Sequence, residues 1–203
     1  MILRINPDNP QARLIRQVVD CLKQGGVIIY PTDTVYGMGC NIFCKHGIQR
    51  IYQIKEREDR KPFSFICSDL ADITNYAKVS NFAFRIMKRL LPGPYTFVLE
   101  ATRTVPDLLL TRQKTVGIRI PDHPVALAIV RELGHPIVTT SANLSGAEPL
   151  TDPDELAESF GRRVDLVLDS GVLTGEPSTV ISLINDQVEV LRQGRGDTSW
   201  ITT

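Results

Sequence analysis

The stretch from Val27 to Gly39, VIIYPTDTVYGMG, leaves an apolar run and turns abruptly polar, with two threonines, an aspartate and a tyrosine close together. A short apolar run bounded by breakers suits a strand covered on both faces, so Val27 to Tyr30 reads as buried strand. The hydroxyl-rich segment after it reads as a loop. Upstream, Asn9 followed by Pro10 marks a helix start, and Leu14, Ile15, Val18, Val19 and Leu22 share one face until Gly25-Gly26 closes the helix. Downstream, Ile48, Ile51, Tyr52 and Ile54 repeat at helical spacing before the chain runs into KEREDRK, Lys55 to Lys61.

The alternation continues outward from there. FSFIC, YTFVLEA, TVGIRI and PIVTT read as strands. Between them, DLADITNYA, NFAFRIMKRLL and PVALAIVREL read as helices, with VPDLLLT as a short one. DPDELAESF adds a helix, and VDLVLD, STVISLI and VEVLR finish the chain as strands. Interleaved helices and strands without a Pro/Ser-rich linker predict one α/β domain over residues 1–203, a twisted mixed sheet with flanking helices.

Composition narrows the function. With 203 residues, 42% hydrophobic, the chain can bury a sizeable core, which excludes a disordered or fibrous protein. Lys+Arg and Asp+Glu both number 23, so a nucleic-acid partner would need a local basic patch. The start MILRINPDNPQ lacks a basic then apolar leader pattern, and no apolar run reaches the roughly 20 residues of a bilayer span, so a cytoplasmic protein is expected. The four cysteines, Cys21, Cys40, Cys44 and Cys67, are too few and irregular for a disulfide scaffold. Cys40, Cys44 and His46 have part of a metal-site spacing, but no second Cys/His pair follows, and core cysteines with a surface histidine are the expectation.

Polar strand ends recur. IVTTSANLSG, Ile137 to Gly146, leaves an apolar strand through hydroxyls and Asn143, and EPSTVISL enters one through Ser178 and Thr179. Such residues make turns and caps, yet three segments together suggest one pocket beyond the strand ends. Hydroxyls and backbone amides bind phosphate, carboxylate or amino-acid groups but lack charge. Lys55, Arg57, Arg60 and Lys61 offer cations, or else a solvated charged face interleaved with Glu56, Glu58 and Asp59. Arg119, inside an apolar strand, must meet an anion from the protein or a ligand. Arg192 closes the last strand, with Arg195 close behind it. No P-loop, GxSxG elbow or HExxH is present, which favours positioning and charge neutralisation over covalent catalysis.

YPTDTVYGMGC, IYQIKER with KPF, PGPYTFVL, TVGIRIPDHP, TTSANLSG, STVISL and VLRQG, in this order from about Pro7 to Asp197, resemble the YrdC/YciO-like family. The resemblance implies a YrdC-like fold with a concave basic face. It also implies synthesis of threonylcarbamoyl-AMP from L-threonine, bicarbonate and ATP, with Mg²⁺ accompanying the ATP, for the N6-threonylcarbamoyl modification of tRNA by downstream modification proteins. The family's K-x-R and S-x-N signature falls on Lys55, Arg57, Ser141 and Asn143, the implied catalytic set. Lys61, Thr115 and Arg192 would join these four at ATP, and Thr32, Arg119, Thr139, Ser178 and Thr179 would hold threonine. No dedicated metal ligand is implied. The usual proline after K-x-R is Glu58 here, and NPDNPQARLI, KPFSFICSDL and GEPSTVISL lean to the YciO branch. The chain resembles the short form without a further C-terminal domain. Binding of double-stranded RNA or tRNA through the concavity, and a YciO-like paralogue with a diverged substrate, are the alternatives.

Overall fold

The computed structural model describes residues 1–56, 63–110 and 112–201. Its strands are β1 (Ile2–Arg4), β2 (Val27–Tyr30), β3 (Gly37–Asn41), β4 (Ser64–Ile66), β5 (Tyr95–Glu100), β6 (Thr115–Arg119), β7 (Ile137–Ser141), β8 (Leu166–Asp169), β9 (Thr179–Ser182) and β10 (Glu189–Arg192). The helices are α1 (Ala12–Lys23), α2 (Lys45–Ile54), α3 (Leu70–Tyr76), α4 (Asn81–Leu90), α5 (Pro124–Leu133) and α6 (Pro153–Phe160). All the strands join one mixed sheet in the order β1-β8-β2-β3-β7-β4-β6-β5-β9-β10. No described helix is long and apolar enough to cross a membrane.

β2 is buried at every position because helices cover both of its faces. Ile28 and Tyr30 point into a cluster with Ile15, Val18, Val19 and Leu22 of α1 and Val125, Ala126 and Ile129 of α5. Val27 and Ile29 point the other way, into the larger cluster holding Ile48 and Ile51 of α2, Ile73 of α3, Met87 of α4 and Leu156 of α6.

Three local expectations change and one strand is added. α1 begins at Ala12, because Asn6 Oδ1 accepts from the amides of Asp8 (3.0 Å) and Asn9 (2.9 Å) and commits that segment to a side-chain turn. β3 replaces most of the second half of the expected loop: GMGCN has little strand propensity, but β2 and β7 pair with it on both sides. β1 is a three-residue edge strand held by β8. VPDLLLT yields only a 3-10 turn at Asp107–Leu109.

α5 is more conventional, with His123 Nδ1 capping the amide of Val125 at 3.3 Å, Pro124 in its first turn and Gly134 closing it at φ 81°. α1 and α5 pack over Ile28, Tyr30, Ile66, Ile137, Leu166 and Leu168 on this side of the sheet. The adjoining part of the same face carries the cavity.

Candidate functional site

Side chains alternate across a sheet, so Thr139 and Ser141 of β7, Ser64 of β4, Thr115, Gly117 and Arg119 of β6, and Thr96 and Val98 of β5 fall on one face. The register sets them side by side: Thr139 opposite Ser64, Ser64 opposite Gly117, Gly117 opposite Val98, and Gly37 opposite Ser141. Together they floor a cavity of about 490 Å³ whose lining also takes in Thr32, Asn143, Glu148, Ser178 and Arg192. The polar residues expected beyond the strand ends therefore lie largely on a sheet face. The floor needs small residues, since a Cβ on Gly117 would sit 2.6 Å from Ser64 Oγ.

One end is built around Arg119, buried and paired with Asp33, so the anion expected for it includes a protein carboxylate. Tyr30 reaches across Gly37 to place its hydroxyl 2.5 Å from Thr139 Oγ1. Burial pushes the Tyr30 phenol's pKa up and keeps it protonated. Ser178 Oγ lies 2.9 Å from Thr96 Oγ1, and Arg192 Nη2 donates to the Ser178 carbonyl at 2.8 Å. Partial burial, and then the positive charge of Arg119, lower the pKa of the Arg192 guanidinium from its ordinary value. Thr32 Oγ1 donates to the carbonyl of Val35 at 2.7 Å, so its hydroxyl also shapes the 31–36 loop. Thr179 stands outside the cavity lining and is fully buried; its hydroxyl donates to the Gly196 carbonyl (2.7 Å) and accepts from the Gly194 amide (3.0 Å), a turn-holding role.

The other end joins the two halves of the K-x-R and S-x-N signature. Lys55, at the C-terminus of α2, donates from Nζ to the Ser141 carbonyl at 2.7 Å and to Asn143 Oδ1 at 2.6 Å. Ser141 Oγ donates to the same Oδ1 at 2.7 Å, and Asn143 Nδ2 donates to the Ala147 carbonyl. The Ser145 amide returns to the Lys55 carbonyl at 3.2 Å. Lys55 is buried behind the wall that Ser141 and Asn143 present to the cavity. Arg57, Glu58, Arg60 and Lys61 lie outside the described residues.

Thr96, Ser64 and Glu148 line the cavity but were not singled out by the sequence. Thr96 and Ser64 carry a signal, polar residues among apolar neighbours in YTFVL and FSFI; Glu148 carries none. Cys40 is buried, Cys44 accepts from the Gly47 amide as the cap of α2, and His46 is exposed. Among the described residues no three His, Cys, Asp or Glu side chains gather in a metal-binding group.

The chain matches the family Sua5_yciO_yrdC, described as "Telomere recombination", over residues 20–194. It is 44% identical over 195 residues to the "Uncharacterized protein YciO" of Escherichia coli (strain K12), covering 95% of each chain. The crystal structure of E. coli YciO superposes with a TM-score of 0.94 at 43% identity, covering 98% of both chains. A putative threonylcarbamoyl-AMP synthase of Methanocaldococcus jannaschii is 37% identical over 199 residues, 95% of this chain and 92% of that one. P. abyssi Sua5 in complex with L-threonine superposes with a TM-score of 0.90 at 30% identity, over 96% of this chain and 57% of that one. The ordered motifs, the sheet that assembles them and these similarities agree: the chain belongs to the Sua5/YciO/YrdC family.

Proposed function

We propose that this protein joins L-threonine, bicarbonate and ATP into threonylcarbamoyl-AMP, for use in tRNA modification. One observation carries the reading: a single cavity has a hydroxyl-lined arginine at one end and the Lys55–Ser141–Asn143 network at the other. The relatives named as synthases and the threonine complex of Sua5 support it.

On this reading Arg119 takes the carboxylate of threonine, while Thr32, Thr139 and Ser178 orient its hydroxyl and amine. Ser141 and Asn143, positioned from behind by Lys55, hold ATP with Arg57, Lys61, Thr115 and Arg192. The amine adds to carbon dioxide released from bicarbonate and loses a proton, giving a carbamate. A carbamate oxygen then attacks the α-phosphorus and pyrophosphate leaves. Cations beside the phosphates offset the charge that develops there. Mg²⁺ would arrive as the ATP complex and supply further charge neutralisation; Glu148 is the carboxylate in the described lining, too few donors for a protein-built cage.

The higher identity to YciO than to the synthases favours a second reading, a paralogue that binds nucleotide but acts on another substrate. Incubation with ATP, Mg²⁺, bicarbonate and L-threonine, followed by mass spectrometry, separates the two. Threonine-dependent threonylcarbamoyl-AMP that disappears in Lys55→Ala is the expected result. ATP binding by folded protein with no such product would reject the synthase reading in favour of the paralogue.

A further inference from the structure

Arg119 is a cavity residue with a side chain 8% exposed, and Asp33 stands behind it, outside the lining, at 11%. Arg119 Nη2 donates to Asp33 Oδ1. The neighbouring atoms of the pair, Arg119 Nε and Asp33 Oδ2, are buried without a hydrogen-bond partner, so this contact is one bond short of a fork.

Asp33 is firmly placed. Its carbonyl accepts from Arg195 Nη1, which brings the segment after β10 over the 31–36 loop. On either side of it, the hydroxyls of Thr32 and Thr34 lie 3.1 Å apart.

A buried guanidinium without a counter-charge is costly, and in an empty cavity that charge must come from the protein. Asp33 supplies it, and thereby changes what an incoming anion meets. Arg119 and Arg192 together would attract any multiply charged oxyanion. With Asp33 in place the Arg119 site is a near-neutral ion pair, which offers hydrogen bonds but little net field. A carboxylate carried by a molecule that also engages the nearby hydroxyls then gains more than a compact inorganic anion does. His123, near Asp33, is shifted by burial toward its neutral form and adds little charge here.

We propose that Asp33 is a specificity-determining positioning residue: it neutralises Arg119 from behind, so that this end of the cavity accepts an amino-acid carboxylate and rejects inorganic phosphates, pyrophosphate included. The identity of the amino acid rests on the proposed synthase reading; the rejection of phosphate does not. For a reaction that releases pyrophosphate inside the same cavity, such a bias keeps the leaving group from lodging at the amino-acid end.

The test is calorimetric titration of wild type, Asp33→Asn and Asp33→Glu with inorganic phosphate and, separately, L-threonine. Asp33→Asn is expected to bind phosphate about tenfold more tightly and to lose about tenfold in its preference for threonine over phosphate, whereas Asp33→Glu stays within about threefold of wild type. A merely structural Asp33 would weaken both ligands together, and folded Asp33→Asn with wild-type phosphate affinity overturns the proposal. Should Asp33→Asn not fold, wild type is compared with Asp33→Asn/Arg119→Gln, in which the pair is uncharged. Phosphate affinities within about threefold support neutralisation, and a wild type about tenfold tighter overturns it. Wild type that binds no threonine and makes no threonylcarbamoyl-AMP, with phosphate affinity still rising in Asp33→Asn, sinks the synthase reading and leaves the charge role of Asp33 standing.

Discussion

Lys55 stands behind one end of the cavity and Arg119 lines the other, and their environments separate their effects. Lys55 Nζ holds both the Ser141 carbonyl and Asn143 Oδ1, so Lys55→Ala loosens the wall that faces the cavity and should weaken ATP binding through it, by at most roughly the 1.5–3 kcal/mol of a hydrogen bond to a charged group. Arg119→Ala should instead weaken threonine binding more than ATP binding, since Ser141 and Asn143 lie at the other end and only Arg192 of the ATP set stands beside Arg119. Titration of each ligand against each variant checks the division, and a variant that weakens both ligands equally would argue against it. His123 gives a pH prediction. Burial lowers its folded pKa below 6.5, and its neutral Nδ1 caps α5. Stability from this residue is therefore complete above pH 6.5 and falls as pH drops from there toward the folded pKa. Melting curves over that window should show less acid destabilisation in His123→Asn, which retains a capping side chain without the titration. At this scale most nominated hydroxyls and arginines were legible because each interrupts an apolar strand. Thr179 was nominated by the same signal, but its hydroxyl holds the turn at Gly194 and Gly196.

β3 shows what element-level reading loses. Its sequence alternates glycine with larger residues and lacks a β-branched run, so local propensity argues against a strand. Its pairing with β2 and β7 supplies the backbone bonds that local preference does not. Gly37 also makes room for Tyr30: a Cβ there would lie 2.9 Å from Tyr30 Cζ and 3.0 Å from its hydroxyl oxygen. Gly37→Ala should displace the ring from Thr139 and cost about 1–3 kcal/mol, the range for overpacking a tight interior. Urea unfolding measures this, and a loss under about 0.5 kcal/mol would show that the ring moves aside freely. α1 and α5 were easier to find, since their apolar stripes and end signals agree with the faces they bury.

Over the whole molecule, the cavity forms where the cover provided by α1 and α5 gives way to an open part of the sheet face. Ligands that bind only this assembled face stabilise it by mass action. At about 100 times its dissociation constant, threonine or ATP alone should add about 2.7 kcal/mol, or roughly 5–11 °C in Tm for a protein of this size. Scanning fluorimetry with L-threonine, and with L-serine for comparison, checks this; absence of a threonine shift at concentrations that support product formation would place threonine binding outside the folded cavity.

The sequence by itself determined the alternating α/β order, the helices that cover β2 and most of the polar residues that meet in the cavity. These follow from periodicity and from side-chain chemistry, which are local. Only the tertiary structure decided that β3 is a strand, that the polar residues share a sheet face, and that Asp33 backs Arg119. Each depends on register or packing between segments far apart in the chain, where pairing energy and burial outweigh local preference.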